Sequence, residues 1–151
     1  MDLTGPRAER FVVLNLRLLA ASFAVVGILF IVTPDGVLDA ITDFGDTLPL
    51  GSFSAAPETV ERFWLALGFA YMVVIAGICL VTQADVVRYR PLLLVLAVGK
   101  TASSLAALGF YLFSDDVFIY LLNFVVDGYL ALLALLLWSL AGRVPTPAAP
   151  T

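Results

Sequence analysis

Residues 92–113, LLLVLAVGKTASSLAALGFYLF, and 117–140, VFIYLLNFVVDGYLALLALLLWSL, decide the fold. Each is an apolar run of about the 20 residues that an α-helix needs to cross a bilayer. Only Ser114, Asp115 and Asp116 separate them, which predicts an antiparallel transmembrane hairpin with a tight turn. Each run carries a single charge, Lys100 in the first and Asp127 in the second. Counted from Asp115 at 1.5 Å per residue, the two lie about 22 and 18 Å deep, within one helical turn of each other. A charge in hydrocarbon costs at least a few kcal/mol, so each is expected to face a partner or a cavity.

Working outward, residues 11–32 and 63–81 are two more runs of spanning length. The chain is 62% hydrophobic, against about half in a soluble domain, and the excess sits in these four runs. The expected fold is therefore an all-α membrane protein, a four-helix transmembrane bundle over residues 11–140. Residues 1–10 form a polar lead-in and 141–151 an extended, disordered tail. The first apolar run is too long for a cleavable signal peptide and is expected to be retained as an anchor.

Charge placement orients the bundle. Arg7, Arg10 and Arg17 lie at the start of the first span, Arg88 and Arg90 between the second and third, and Arg143 after the fourth. The opposite loops carry Asp35, Asp39, Asp43, Asp46 and Glu58, then Asp115 and Asp116. The positive-inside rule then places both termini in the cytoplasm. Glu58 and Arg62 are four apart and suited to pair at the start of span two. Trp64 and Trp138 suit opposite interfaces.

Residues 34–60 form the longest connection. Thr33 is suited to cap a helix that Pro34 opens. Val37, Ile41, Phe44 and Leu48 share one face of it, and Asp35, Asp39 and Asp43 the other. This predicts an amphipathic helix lying along the outer interface, apolar side down. A calcium loop would need a tight irregular turn with carbonyl ligands, so the aspartates read as a solvated acidic face. Gly45, Pro49, Gly51 and Ser52 then mark irregular chain.

Around Lys100 and Asp127 the spans are not uniformly oily. Gly99, Ser103 and Ala107 make a small-residue face on span three, and Gly128 adds to it from span four. Ser103, Ser104 and Asn123 offer hydrogen bonds that would complete the polar cluster. Leu132, Leu133, Leu135, Leu136 and Leu137 are left to meet lipid. Two readings stay open. The pair is a buried salt bridge that sets helix register, or it lines a pocket or proton path. Lys100 pairing with an acidic group of another subunit is a third arrangement.

There is no His and a single Cys, Cys79. Intrachain disulfides and axial haem ligation by His are excluded, and nothing gathers the ligands of a zinc site. No metal or other cofactor is implied. No Gly-rich phosphate loop or Ser–His–Asp arrangement is present, so catalytic machinery is not expected. No basic patch suits nucleic acid.

The layout resembles the small bacterial DoxX-like membrane proteins. The resemblance rests on Gly27 and Thr33-Pro34 in and after span one, the long outer connection, the charged start Glu61-Arg62 of span two, and the step Val126-Asp127-Gly128 in span four. It implies a compact four-helix bundle in a bacterial cytoplasmic membrane. Some members of that group are small membrane partners of oxidoreductases near the quinone pool. Lys100 departs from the group's pattern.

Three functions follow as expectations. The first is an accessory or structural subunit that presents helix faces to other membrane proteins. The second is a ligand-binding or proton-coupled carrier, as a monomer or a homodimer, built on Lys100 and Asp127. The third is a quinone-linked redox partner subunit. Lipid is a partner in all three.

Overall fold

Proline opens three of the five helices. A computed structural model of the chain describes residues 5–50, 53–54, 62–114 and 116–145. Its helices are α1 (Pro6–Val32), α2 (Pro34–Asp46), α3 (Arg62–Ala84), α4 (Pro91–Phe113) and α5 (Phe118–Ala141). Pro6, Pro34 and Pro91 each stand at a first helical position, where a missing N–H costs nothing. Among the described residues there is no named strand; a lone bridge joins Ser54 to Val117. Helices α1, α3, α4 and α5 are each long and apolar enough to cross a membrane. The chain is read as an integral membrane protein on that ground.

The helix boundaries differ from expectation in instructive ways. α1 begins at Pro6, inside the lead-in expected to precede it, because Pro6 starts the helix and Glu9 suits its first turn. The break between α1 and α2 is a single residue, Thr33, at φ −140°. A residue before proline is pushed out of the helical region, and Pro34 has no N–H to continue the ladder. Thr33 does not cap α2 with its side chain. Its hydroxyl instead donates to the Leu29 carbonyl at 3.4 Å. Gly45 lies within α2 rather than in irregular chain. The Glu58–Arg62 pair, Asp115 and residues 146–151 of the tail fall outside the described residues.

Packing is strongest within two helix pairs. α1 lies along α3 and α4 along α5, while α1 meets α5 and α3 meets α4 only lightly. Small residues bring the pairs together. A Cβ on Gly27 would stand 3.1 Å from Met72 Cβ, and one on Gly128 would stand 3.2 Å from Ser104 Oγ. In lipid there is little hydrophobic drive between helices, so close backbone approach supplies the contact. The seam of α4 is Lys100, Ser104 and Ala107, all buried. It is turned from the expected Gly99–Ser103–Ala107 face, since Gly99 looks toward the Tyr71 hydroxyl on α3.

One end of the bundle is rich in arginine. There Val12, Leu16, Cys79, Val86, Leu93, Leu137 and Leu140 form a single buried cluster. Leu137, expected at lipid, is fully buried there, whereas Leu132, Leu135 and Leu136 are exposed. Arg90 closes this end. Its Nε donates to the Trp138 carbonyl at 2.8 Å, and its guanidinium carbon lies 4.1 Å from the Trp138 ring. Arg17 Nε donates to Gln83 Oε1 at 3.1 Å, and the Gly5 N–H donates to the Arg143 carbonyl at 3.4 Å. Gly5 has φ +56°, a conformation that favours glycine.

The other end is acidic. Asp35, Asp39 and Asp43 are exposed along α2, while Val37, Leu38 and Ile41 are half-buried. α2 is held by the start of α5: Gly45 packs beneath the buried Phe118 ring, with Phe44 6.1 Å and Phe53 4.9 Å from it. Ser54 adds a hydrogen bond to the Asp116 carboxylate at 2.5 Å.

Candidate functional site

Lys100 stands near the middle of α4 and Asp127 near the middle of α5. Both side chains are at least nine-tenths buried, and Lys100 Nζ donates to Asp127 Oδ1 at 2.8 Å. The tight α4–α5 seam makes this possible. Gly128 and Ser104 let the backbones approach, and the long lysine stem then reaches across. Ser104 and Asp127 share the seam, but the Ser104 hydroxyl donates to the Phe124 carbonyl at 2.8 Å, not to the pair. Ser103 and Asn123 bond to each other at 3.4 Å. The expected completion of the pair by these side chains is therefore replaced by another arrangement.

Two aromatic rings take their place. Lys100 Nζ lies 4.5 Å from the Phe23 ring centre on α1 and 5.2 Å from that of Tyr71 on α3. The negative face of a ring attracts a cation, and desolvation strengthens the attraction to about 2 kcal/mol or more. The ammonium has three N–H groups, and one goes to Asp127. Among the described residues, Asp127 Oδ2 accepts no hydrogen bond. The charge is balanced, but the described residues do not fill its hydrogen-bonding capacity.

The pair does not sit in solid packing. It lines, toward the arginine end, a cavity of about 500 Å³ between α1 and α5. α1 contributes Ser22, Phe23, Val26 and Phe30, and α5 contributes Asn123 and Val126 beside Asp127. Tyr71 and Met72 of α3, Lys100 and Ser103 of α4, and Ile41 of α2 complete the lining. The light α1–α5 contact is the cause. The two helices share the arginine-end cluster through Val12, Leu16, Leu137 and Leu140, and the cavity lies between their further stretches. Ser22, Val26 and Val126 are exposed at the mouth, so the cavity opens sideways. Its size lies within the range of small-molecule sites, which are mostly apolar with a few placed polar groups.

Phe23, Tyr71 and Ser22 were not singled out as site residues by sequence reasoning. Nothing near Phe23 or Tyr71 in the chain marks either ring, and only the meeting of α1 and α3 over Lys100 gives them a part. Asp35, Asp39 and Asp43 lie away from the cavity, and no cluster suited to hold a metal is found among the described residues.

Fold and site together define a small membrane helical bundle with a buried Lys–Asp pair lining a lateral apolar groove. No protein-family model, curated protein or solved structure matches the chain.

Proposed function

We propose that this protein binds a small apolar or amphiphilic molecule inside the bilayer, in the groove between α1 and α5. The observation that carries this reading is the placement of the Lys100–Asp127 pair in the lining of an open cavity of about 500 Å³. A pair serving only helix register needs no cavity beside it, whereas an apolar cavity with a few placed polar groups suits a ligand. Ionisable residues within a membrane commonly mark such a site. Extraction of the purified protein and mass analysis of what it retains tests the reading. Retention by the natural chain and loss in Val126→Trp, which fills the mouth, supports it. Equal content in both chains overturns it.

A second reading, an accessory subunit of a larger membrane complex, is favoured by α3. Only Ile75, Cys79 and Thr82 of that helix are buried, while Phe63, Trp64, Leu67, Val73, Val74 and Leu80 are exposed. Its open side suits lipid or a partner helix. Stoichiometric co-purification of another membrane protein in nanodiscs supports this reading, and a lone monomer or homodimer removes it.

Under either reading the arginine end faces the cytoplasm and α2 lies in the opposite interface, its half-buried apolar residues toward lipid. In a Cys79→Ala background, a membrane-impermeant thiol reagent is expected to reach Asp39→Cys from outside intact cells and Arg88→Cys only after lysis.

A further inference from the structure

The groove has a direction. Its lining on α1 runs from Leu19 to Phe30 and on α5 from Ile119 to Leu130, so it is about 16 Å long at 1.5 Å per residue. Lys100 and Asp127 stand toward the arginine end of that length. From there to Phe30, Ile41 and Ile119 at the acidic end the walls are mostly apolar. An amphiphile in this groove would hold its head at mid-membrane and its tail toward α2. That is the reverse of a lipid seated in a bilayer leaflet, whose head lies at the surface.

The head must then suit a site that is already neutral. Lys100 and Asp127 cancel each other, so a charged head would add an unbalanced charge at membrane depth, at a cost of several kcal/mol. The unfilled valences specify the rest. Asp127 Oδ2 accepts from no described residue, and Lys100 retains N–H groups toward the Phe23 and Tyr71 faces. A group that donates to Oδ2 and accepts from Nζ satisfies both at once. We infer that the groove takes a neutral amphiphile whose head both donates and accepts hydrogen bonds, such as an amide or alcohol, entering sideways from the bilayer. The inference rests on the groove-binding reading and specifies the class of its ligand.

The test uses the full chain in nanodiscs and probes bearing a photoreactive diazirine near the tail end. Lauramide, methyl laurate, laurate and the parent alkane carry the same chain with different heads. Lauramide is expected to label residues of α1 and α5 in the groove. Methyl laurate, which cannot donate, should label about tenfold less, as expected when a buried acceptor is left unmet. Laurate and the alkane should fall with it. Val126→Trp leaves the pair intact and should abolish labelling by lauramide. The double variant Lys100→Met/Asp127→Asn should erase the preference for lauramide. Equal groove labelling by all four probes, blocked by Val126→Trp, overturns the head-group inference and leaves the groove reading standing. Stronger labelling by laurate than by lauramide overturns the neutral head. No groove labelling by any probe overturns both.

Discussion

Lys100 and Asp127 meet at 2.8 Å across the α4–α5 seam, and neither has another hydrogen-bond partner among the described residues. Each is therefore the other's only charge partner among the described residues, although the Phe23 and Tyr71 rings also face the ammonium. Replacing one leaves a buried charge without a partner, which costs about 3–5 kcal/mol, whereas replacing both removes the burden. Asp127→Asn and Lys100→Met are each expected to lower stability, and the double variant to recover most of the loss. Unfolding of the purified chains in detergent micelles measures this. If the double variant is as unstable as the sum of the single ones, the two residues do not act as a pair.

Glycine substitutions on α2 are expected to have opposite signs. A Cβ on Gly36 would lie 3.8 Å from Thr33 Cβ, an ordinary contact. Gly36→Ala removes a flexible residue from a helix and should stabilise by about 0.5–1 kcal/mol. A Cβ on Gly45 would lie 2.6 Å from Phe118 Cγ, which is impossible without movement. Phe118 is buried and held against Phe53 and Phe44, so it cannot easily give way. Gly45→Ala should destabilise by about 1–3 kcal/mol, the usual range for overpacking. Limited proteolysis of the 47–61 connection should quicken in that variant and not in Gly36→Ala.

The four spanning helices were legible because length and apolar character are local properties of the chain. The Lys100–Asp127 depth match was legible because a short link fixes the register of an antiparallel hairpin. What could not be read was which way each helix turns about its own axis. Gly99, Ser103 and Ala107 lie at plausible packing spacing, but so do Lys100, Ser104 and Ala107. Only the fit of Gly128 against Ser104 selects the second set. The groove was hidden for a related reason. It lies between α1 and α5 beside the Leu16–Leu137 cluster, a relation between helices that are distant in sequence. Phe23 and Tyr71 meet Lys100 through that same distant packing, so nothing near them in the chain announces the contact.

Arg90 is expected to matter beyond its charge. It donates to the Trp138 carbonyl and stacks on the Trp138 ring at once, a combination that suits a planar guanidinium. Arg90→Met should lower stability by about 1–2 kcal/mol, from the lost cation–π and hydrogen-bond contacts. Arg90→Lys should recover less than half of it, because an ammonium cannot serve ring and carbonyl in the same plane. Gly142 offers a check through the same group. A Cβ there would stand 2.8 Å from the Arg90 guanidinium carbon. Gly142→Ala should therefore cost stability in the natural chain and little in the Arg90→Met background. A cost of equal size in both backgrounds would separate Gly142 from Arg90.

Cys79 gives a built-in reporter of the α1–α3 contact. It is fully buried in the arginine-end cluster, beside residues contributed by α1. A maleimide should not reach it while the two helices stay together. Gly27 holds them close: a Cβ there would stand 3.1 Å from Met72 Cβ. Gly27→Val is therefore expected to push α1 from α3 and speed labelling of Cys79, read as a mass shift over time. Met72→Ala in the same chain should slow it again by giving the added methyls room. Gly68→Val is the control, since nothing lies within 4 Å of a Cβ at that position. It should leave the labelling rate unchanged. If it speeds labelling as much as Gly27→Val does, the rate reports general loosening of α3 and not the Gly27–Met72 contact.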